Sequence, residues 1–132
     1  MYLRNSYYAD GVKLWIPWQP IATNTKTSFS CTPKSGYSIG LNNNYIINNL
    51  VIINLEVSKT DSSTFPLNTQ FVPVTLPSNI KPNYWMPAKA TTRNDGVTGN
   101  YADAVFYQDG NIYAKCFTNG VTLAISGVFV LA

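Results

Sequence analysis

The stretch Val51-Ile52-Ile53-Asn54-Leu55-Glu56-Val57-Ser58 decides the fold class. Val51, Ile53, Leu55 and Val57 alternate with Ile52, Asn54, Glu56 and Ser58, and a period of two puts one set on each face of a strand. A helix would need apolar residues three and four apart, and no window of the chain sustains that spacing with good helix formers. The run reads as one long strand over 46–59. Its second half is apolar on one face and polar on the other, whereas Leu50 and Ile52 make its first half apolar on both. The last strand, 121–131, behaves alike. Val121, Leu123, Ile125, Phe129 and Leu131 share one face, and Ala124, Val128 and Val130 take the other.

Further short runs rich in Val, Ile, Thr, Phe and Tyr lie at 13–16, 27–31, 37–41, 70–76, 84–91, 103–108 and 111–118. Asn, Gly, Pro and Asp separate them. The series predicts an all-β, jelly-roll-like antiparallel β-sandwich over 25–132, preceded by an arm or linker, 1–24. Asp109-Gly110 signals a hairpin, and Asn119-Gly120 a second one that would make a three-strand meander to the C-terminus. Residues 92–100, with Asn94-Asp95-Gly96 and Gly99-Asn100, read as a polar loop, as do 61–64. Pro77, Pro82 and Pro87 predict an extended connection into an edge strand.

Charged residues are only 11% of the 132 residues, and histidine is absent. The polarity comes instead from 15 Asn, 13 Thr and 10 Ser. Without histidine there is no Ser-His or Cys-His pair and no imidazole metal ligand. A net charge of +3, scattered along the chain, gives no nucleic-acid-binding face. Residues 1–15 lack the apolar core of a secretory signal. The apolar stretches 45–55 and 123–132 are too short or too interrupted to span a bilayer, so no membrane insertion is expected. The spacing of Cys31 and Cys116 excludes a C-x-x-C site. They read better as two small buried hydrophobes than as a disulfide, though a bridge stays open.

A glycosidase needs two carboxylates across a cleft. The candidates are Asp10, Glu56, Asp61, Asp95, Asp103 and Asp109, and all but Glu56 fall at turns or strand ends, where turn chemistry alone accounts for them. A calcium site at Asp95 lacks the D-x-D-x-D-G pattern. The expectation is a non-enzyme without cofactor or metal. Nine Tyr, six Phe and three Trp exceed what a small core needs. Tyr and Trp offer a flat apolar face with a polar edge, suited to sugars. Candidate ligand-binding residues are Trp85, Tyr101, Tyr107 and Tyr113, with Asn94, Asp95, Asn100 and Asp103 as hydrogen-bonding neighbours. The candidate oligomer interface is the second apolar face, Leu50, Ile52, Ala124, Val128 and Val130.

One longer pattern adds to this reading. Gln70-Phe71-Val72-Pro73-Val74-Thr75-Leu76-Pro77-Ser78-Asn79-Ile80-Lys81-Pro82 is a strand ending in Leu-Pro, then a turn with a basic residue and Pro. An extended strand (84–90), the Asp109-Gly110-Asn111-Ile112 hairpin and a final strand (123–132) follow. Ile53, Leu55 and Val57 precede it. This order resembles the C-terminal head domains of phage tail fibre and baseplate receptor-binding proteins, especially of phages infecting Gram-positive bacteria, over about 27–132. The resemblance implies a jelly-roll-like head, usually a homotrimer, that recognises a host cell-surface saccharide or teichoic-acid-like polymer. It also implies contacts with other tail or baseplate proteins and a place in the virion after synthesis in the bacterial cytoplasm. It transfers no binding or catalytic residue. Where many such proteins carry a coiled-coil neck, residues 1–24 show no heptad. A ligand-free virion or tail-assembly sandwich and a carbohydrate-binding module are the competing readings.

Overall fold

The computed structural model describes residues 2–3, 6–9, 12–15, 19–20, 25–94 and 97–132, with side chains over 25–94 and 101–132. Every regular element among them is a strand. In the N-terminal segment β1 (Tyr2–Leu3) pairs with β4 (Gln19–Pro20), and β2 (Ser6–Ala9) with β3 (Val12–Trp15). The main sheet follows as β5 (Lys26–Phe29), β6 (Thr32–Pro33), β7 (Tyr37–Asn42), β8 (Asn44–Ile47) and β9 (Leu50–Lys59). It continues as β10 (Gln70–Thr75), β11 (Met86–Asn94), β12 (Val97–Phe106), β13 (Asn111–Cys116) and β14 (Thr122–Val130).

These ten strands form one antiparallel sheet in the order β5-β8-β9-β14-β11-β12-β13-β10-β6, with β7 also paired to β9. The outermost strands, β5 and β6, are consecutive in the chain, with only Ser30 and Cys31 between them. One segment therefore supplies both ends of the path, and the sheet curls into a half-barrel. The expected all-β sandwich is present in this curled form.

The period-two pattern builds the core. Val51, Ile53, Leu55 and Val57 of β9 are buried, as are Leu123, Ile125 and Phe129 of β14. Ala102, Ala104 and Phe106 of β12 and Ile112, Ala114 and Cys116 of β13 complete the inner face. Burying each larger side chain stabilises the fold by about 1.5–3 kcal/mol. Tyr37, Phe65 and Phe71 stack under one end, with centroids 5.5–6.4 Å apart. At Gly127 a Cβ would lie 2.6 Å from Cε2 of Phe106, so the Phe106 ring occupies the space a side chain would take.

Where β7 passes into β8 the ladder breaks, and asparagine side chains replace the missing backbone bonds. Asn42 Oδ1 accepts the Cys31 N–H and Asn42 Nδ2 donates to the Cys31 carbonyl, each at 3.0 Å. Buried Asn44 donates to Asn42 Oδ1 at 2.6 Å and accepts the Asn54 N–H at 3.0 Å. The cluster Asn42-Asn43-Asn44 is thus a joint within the sheet.

Several local expectations change. Residues 46–59 are not one strand, because Asn48 takes a left-handed φ of 56° and turns β8 back onto β9. Asn119-Gly120 makes no hairpin. β14 pairs with β9 and β11, not with β13, so the meander is absent. The connection instead passes against β11, where a Cβ on Gly120 would lie 2.6 Å from that of Thr92. Glycine is needed there for close approach. The polar loop expected at 92–100 is the end of the β11–β12 hairpin, paired as far as Asn94 and Val97. β11 is internal rather than an edge. Pro87 is tolerated because β14 pairs with β11 only from Lys89 onward.

Cys31 and Cys116 are buried free thiols. Burial pushes their pKa values up, to about 12 and about 11. Among the described residues no helix is long and apolar enough to cross a membrane.

Candidate functional site

The outer face of β12 and β13 brings together four of the candidate ligand-binding residues, Trp85, Asp103, Tyr107 and Tyr113. Because Ala102, Ala104 and Phe106 point into the core, Tyr101, Asp103 and Val105 face outward, and Tyr107 continues that side beyond the strand end. On β13 the same alternation turns Tyr113 and Lys115 outward. The registers set Val105 between Pro87 and Tyr113. They set Asp103 between Lys89 and Lys115, with Gln70 beyond Lys115.

Trp85, Tyr107, Tyr113, Val105 and Gln70 line an open cleft of about 540 Å³. The rings of Tyr107 and Tyr113 meet edge to face at 5.5 Å. Trp85 leaves 58% of its surface exposed, so its ring can stack on a ligand. A smaller groove of about 190 Å³ adjoins it, sharing Gln70, Val105 and Tyr113 and adding Asp103 and Lys115.

The turn between β12 and β13 holds these rings. Gly110 donates its N–H to the Tyr107 carbonyl at 3.0 Å and takes a φ of 85°, a type I turn closed by a left-handed glycine. Asp109 Oδ1 accepts the Asn111 N–H at 2.8 Å. Its Oδ2 accepts the Asn111 amide at 3.0 Å and the Tyr113 hydroxyl at 2.8 Å. Loss of hydration pushes the Asp109 carboxyl up, but these hydrogen bonds outweigh it and hold the group below the usual carboxylate range. Gln108 Nε2 donates to the Asn83 carbonyl at 2.7 Å, tying the segment that carries Trp85 to the same turn.

Trp85, Tyr107 and Tyr113 therefore come together, and Asp103 lies in the adjoining groove. Tyr101 is 79% exposed on the same face, but six residues along β12 from Tyr107, about 20 Å away. Asn94 is exposed at the hairpin end of β11, also away from the cleft. The backbone of Asn100 pairs with Thr92; its side chain and the whole of Asp95 lie outside the described residues, as does Asp10. Asp103 sits within β12, not at a strand end as expected. The cleft also uses Gln70 and Val105, and the adjoining groove Lys115, which sequence reasoning missed. Gln70 joins only through the long-range β10–β13 pairing. Asp109 was legible as a turn residue but not as the anchor of Tyr113.

On the outer side of β9 and β14, Leu50 lies opposite Val130, and Ile52 opposite Val128. Leu50, Val128 and Val130 are 46–61% exposed. Ala124 shares that face farther along, opposite Glu56, which forms an ion pair with Arg93. Among the described residues no group of three or more His, Cys, Asp or Glu side chains could hold a metal.

No protein-family model matches the chain, and no curated protein does. Among solved structures, the fold is similar to that of the receptor binding protein (gp15) of Listeria phage PSA. The TM-score is 0.55 at 18% identity, and the match covers 80% of this chain and 66% of that one. At that identity the likeness is one of fold, and this chain spans just under two thirds of the length of that protein.

Proposed function

We propose that this chain is a phage receptor-binding head that binds a host cell-surface saccharide in the cleft of Trp85, Tyr107 and Tyr113. The observation that carries the reading is the grouping of three aromatic side chains on an outer sheet face beside Gln70 and Asp103. Aromatic faces stack on the apolar side of a pyranose, and carboxylate, amide and ammonium groups nearby bond saccharide hydroxyls. The fold shared with the receptor binding protein (gp15) of Listeria phage PSA supports the same class. On this reading the protein binds and does not catalyse. It works in the virion, at the tail tip or baseplate, against other tail proteins. Leu50, Ile52, Val128 and Val130 then pack against further copies in a homotrimer, which removes exposed apolar surface from water.

The test is binding of the labelled protein to whole Gram-positive cells and to a glycan array, with Trp85→Ala beside it. Retention by the wild type and loss by the variant are expected. Failure of the wild type to bind any cell or glycan at micromolar concentration would leave a structural tail or decoration role.

A further inference from the structure

We infer, on the strength of that saccharide reading, that the site takes a chain of at least two sugar units laid along β12, not a single terminal unit. The aromatic cleft and the groove at Asp103 and Lys115 are contiguous, because Gln70, Val105 and Tyr113 line both. Their far ends differ in chemistry. One offers Trp85 and Tyr107, which stack. The other offers a carboxylate and an ammonium from Asp103 and Lys115, neighbours across β12 and β13, with the Gln70 amide where the two cavities join. A carboxylate and an ammonium side by side suit adjacent hydroxyls, since one accepts and the other donates. Asp103 has a lysine opposite it on both neighbouring strands, Lys89 and Lys115. From Asp103 to Tyr107 is four strand residues, on the order of 13 Å. One pyranose ring cannot stack at one end and bond at the other, whereas two linked rings can.

The experiment is titration of the whole chain with hexoses and N-acetylhexosamines, each as monosaccharide, disaccharide and tetrasaccharide. For a sugar that binds, the disaccharide should bind about tenfold tighter than the monosaccharide, as expected for added hydrogen bonds to charged groups. Asp103→Ala and Lys115→Ala should each bring that ratio towards one. Both side chains face outward, so thermal melts should match the wild type. Equal affinity for one and two units, or a ratio indifferent to both substitutions, overturns the two-unit site while leaving saccharide binding intact. No binding to any member of the panel overturns the saccharide reading, and this inference with it.

Discussion

The hydroxyl of Tyr113 donates to Oδ2 of Asp109 at 2.8 Å, across the turn that joins the two strands beneath the aromatic cleft. The turn residue therefore fixes a ring of the proposed site. Asp109→Ala should free Tyr113 to rotate and weaken saccharide binding about threefold to tenfold, a discounted value because the pair is exposed. Tyr113→Phe, which loses the same bond but keeps the Asp109–Asn111 bonds of the turn, should weaken it less. Isothermal titration of the two variants checks the order.

The same carboxylate sets a pH response. Its folded-state pKa lies below the ordinary range, so its contribution to stability is present at neutral pH and down to the unfolded value, about 3.9. It disappears as pH falls through the lowered folded-state value. Asp109→Asn lacks the contribution at every pH. Denaturant melts should show the wild type ahead of Asp109→Asn at neutral pH and the gap closing under acid. A gap that widens on acidification would reverse the assigned sign.

Gly127 and Phe106 test the core. An alanine at 127 would place its Cβ 2.6 Å from Cε2 and 3.0 Å from Cζ of a ring that is fully buried and tilted against Phe129. Overpacking of this kind costs about 1–3 kcal/mol. The midpoint of thermal unfolding should fall by roughly 4–12 °C. Phe106→Leu in the Gly127→Ala background should recover part of the loss, a coupling that a double-mutant cycle reads directly.

Leu50 and Val128 test the proposed self-association. Both are nearly half exposed on the single chain, so an aspartate at either position has little to disrupt within it. In an assembly it would be a charge buried without a partner. Leu50→Asp or Val128→Asp should leave the fold intact and reduce the native mass to that of one chain, measured by light scattering. Unchanged mass in both would remove these strands from the interface.

The two thiols are held in the protonated form by burial. The thiolate is the reactive form. A thiol-specific chromogenic reagent should therefore label neither Cys31 nor Cys116 in the native protein at neutral pH, and both after denaturation. Rapid labelling of the native protein would show that the sheet opens.

Alternation was legible wherever one face met the core. It placed the buried set of β9 and the inward residues of β14. What failed was pairing at a distance. Nothing local distinguishes Asn119-Gly120 as a crossing from a hairpin turn, because the reason for Gly120 is the side chain of Thr92 on another strand. Asn48 hid a turn because an Asn-Asn pair signals reversal less strongly than Asn-Gly. The aromatic members of the cleft could be nominated from their chemistry, whereas Gln70 depends on the register of β10 against β13, and Lys115 on that of β13 against β12.

The segment 26–33 ends the sheet on both sides, and that arrangement bears on solubility. A strand edge with free N–H and C=O groups is a template for pairing with another chain. Peeling this one segment away would uncover β8 and β10 together and also release Asn42 from Cys31. A lesion there would bare two strand edges at once to edge-to-edge polymerisation, so this one segment hems both sides of the sheet.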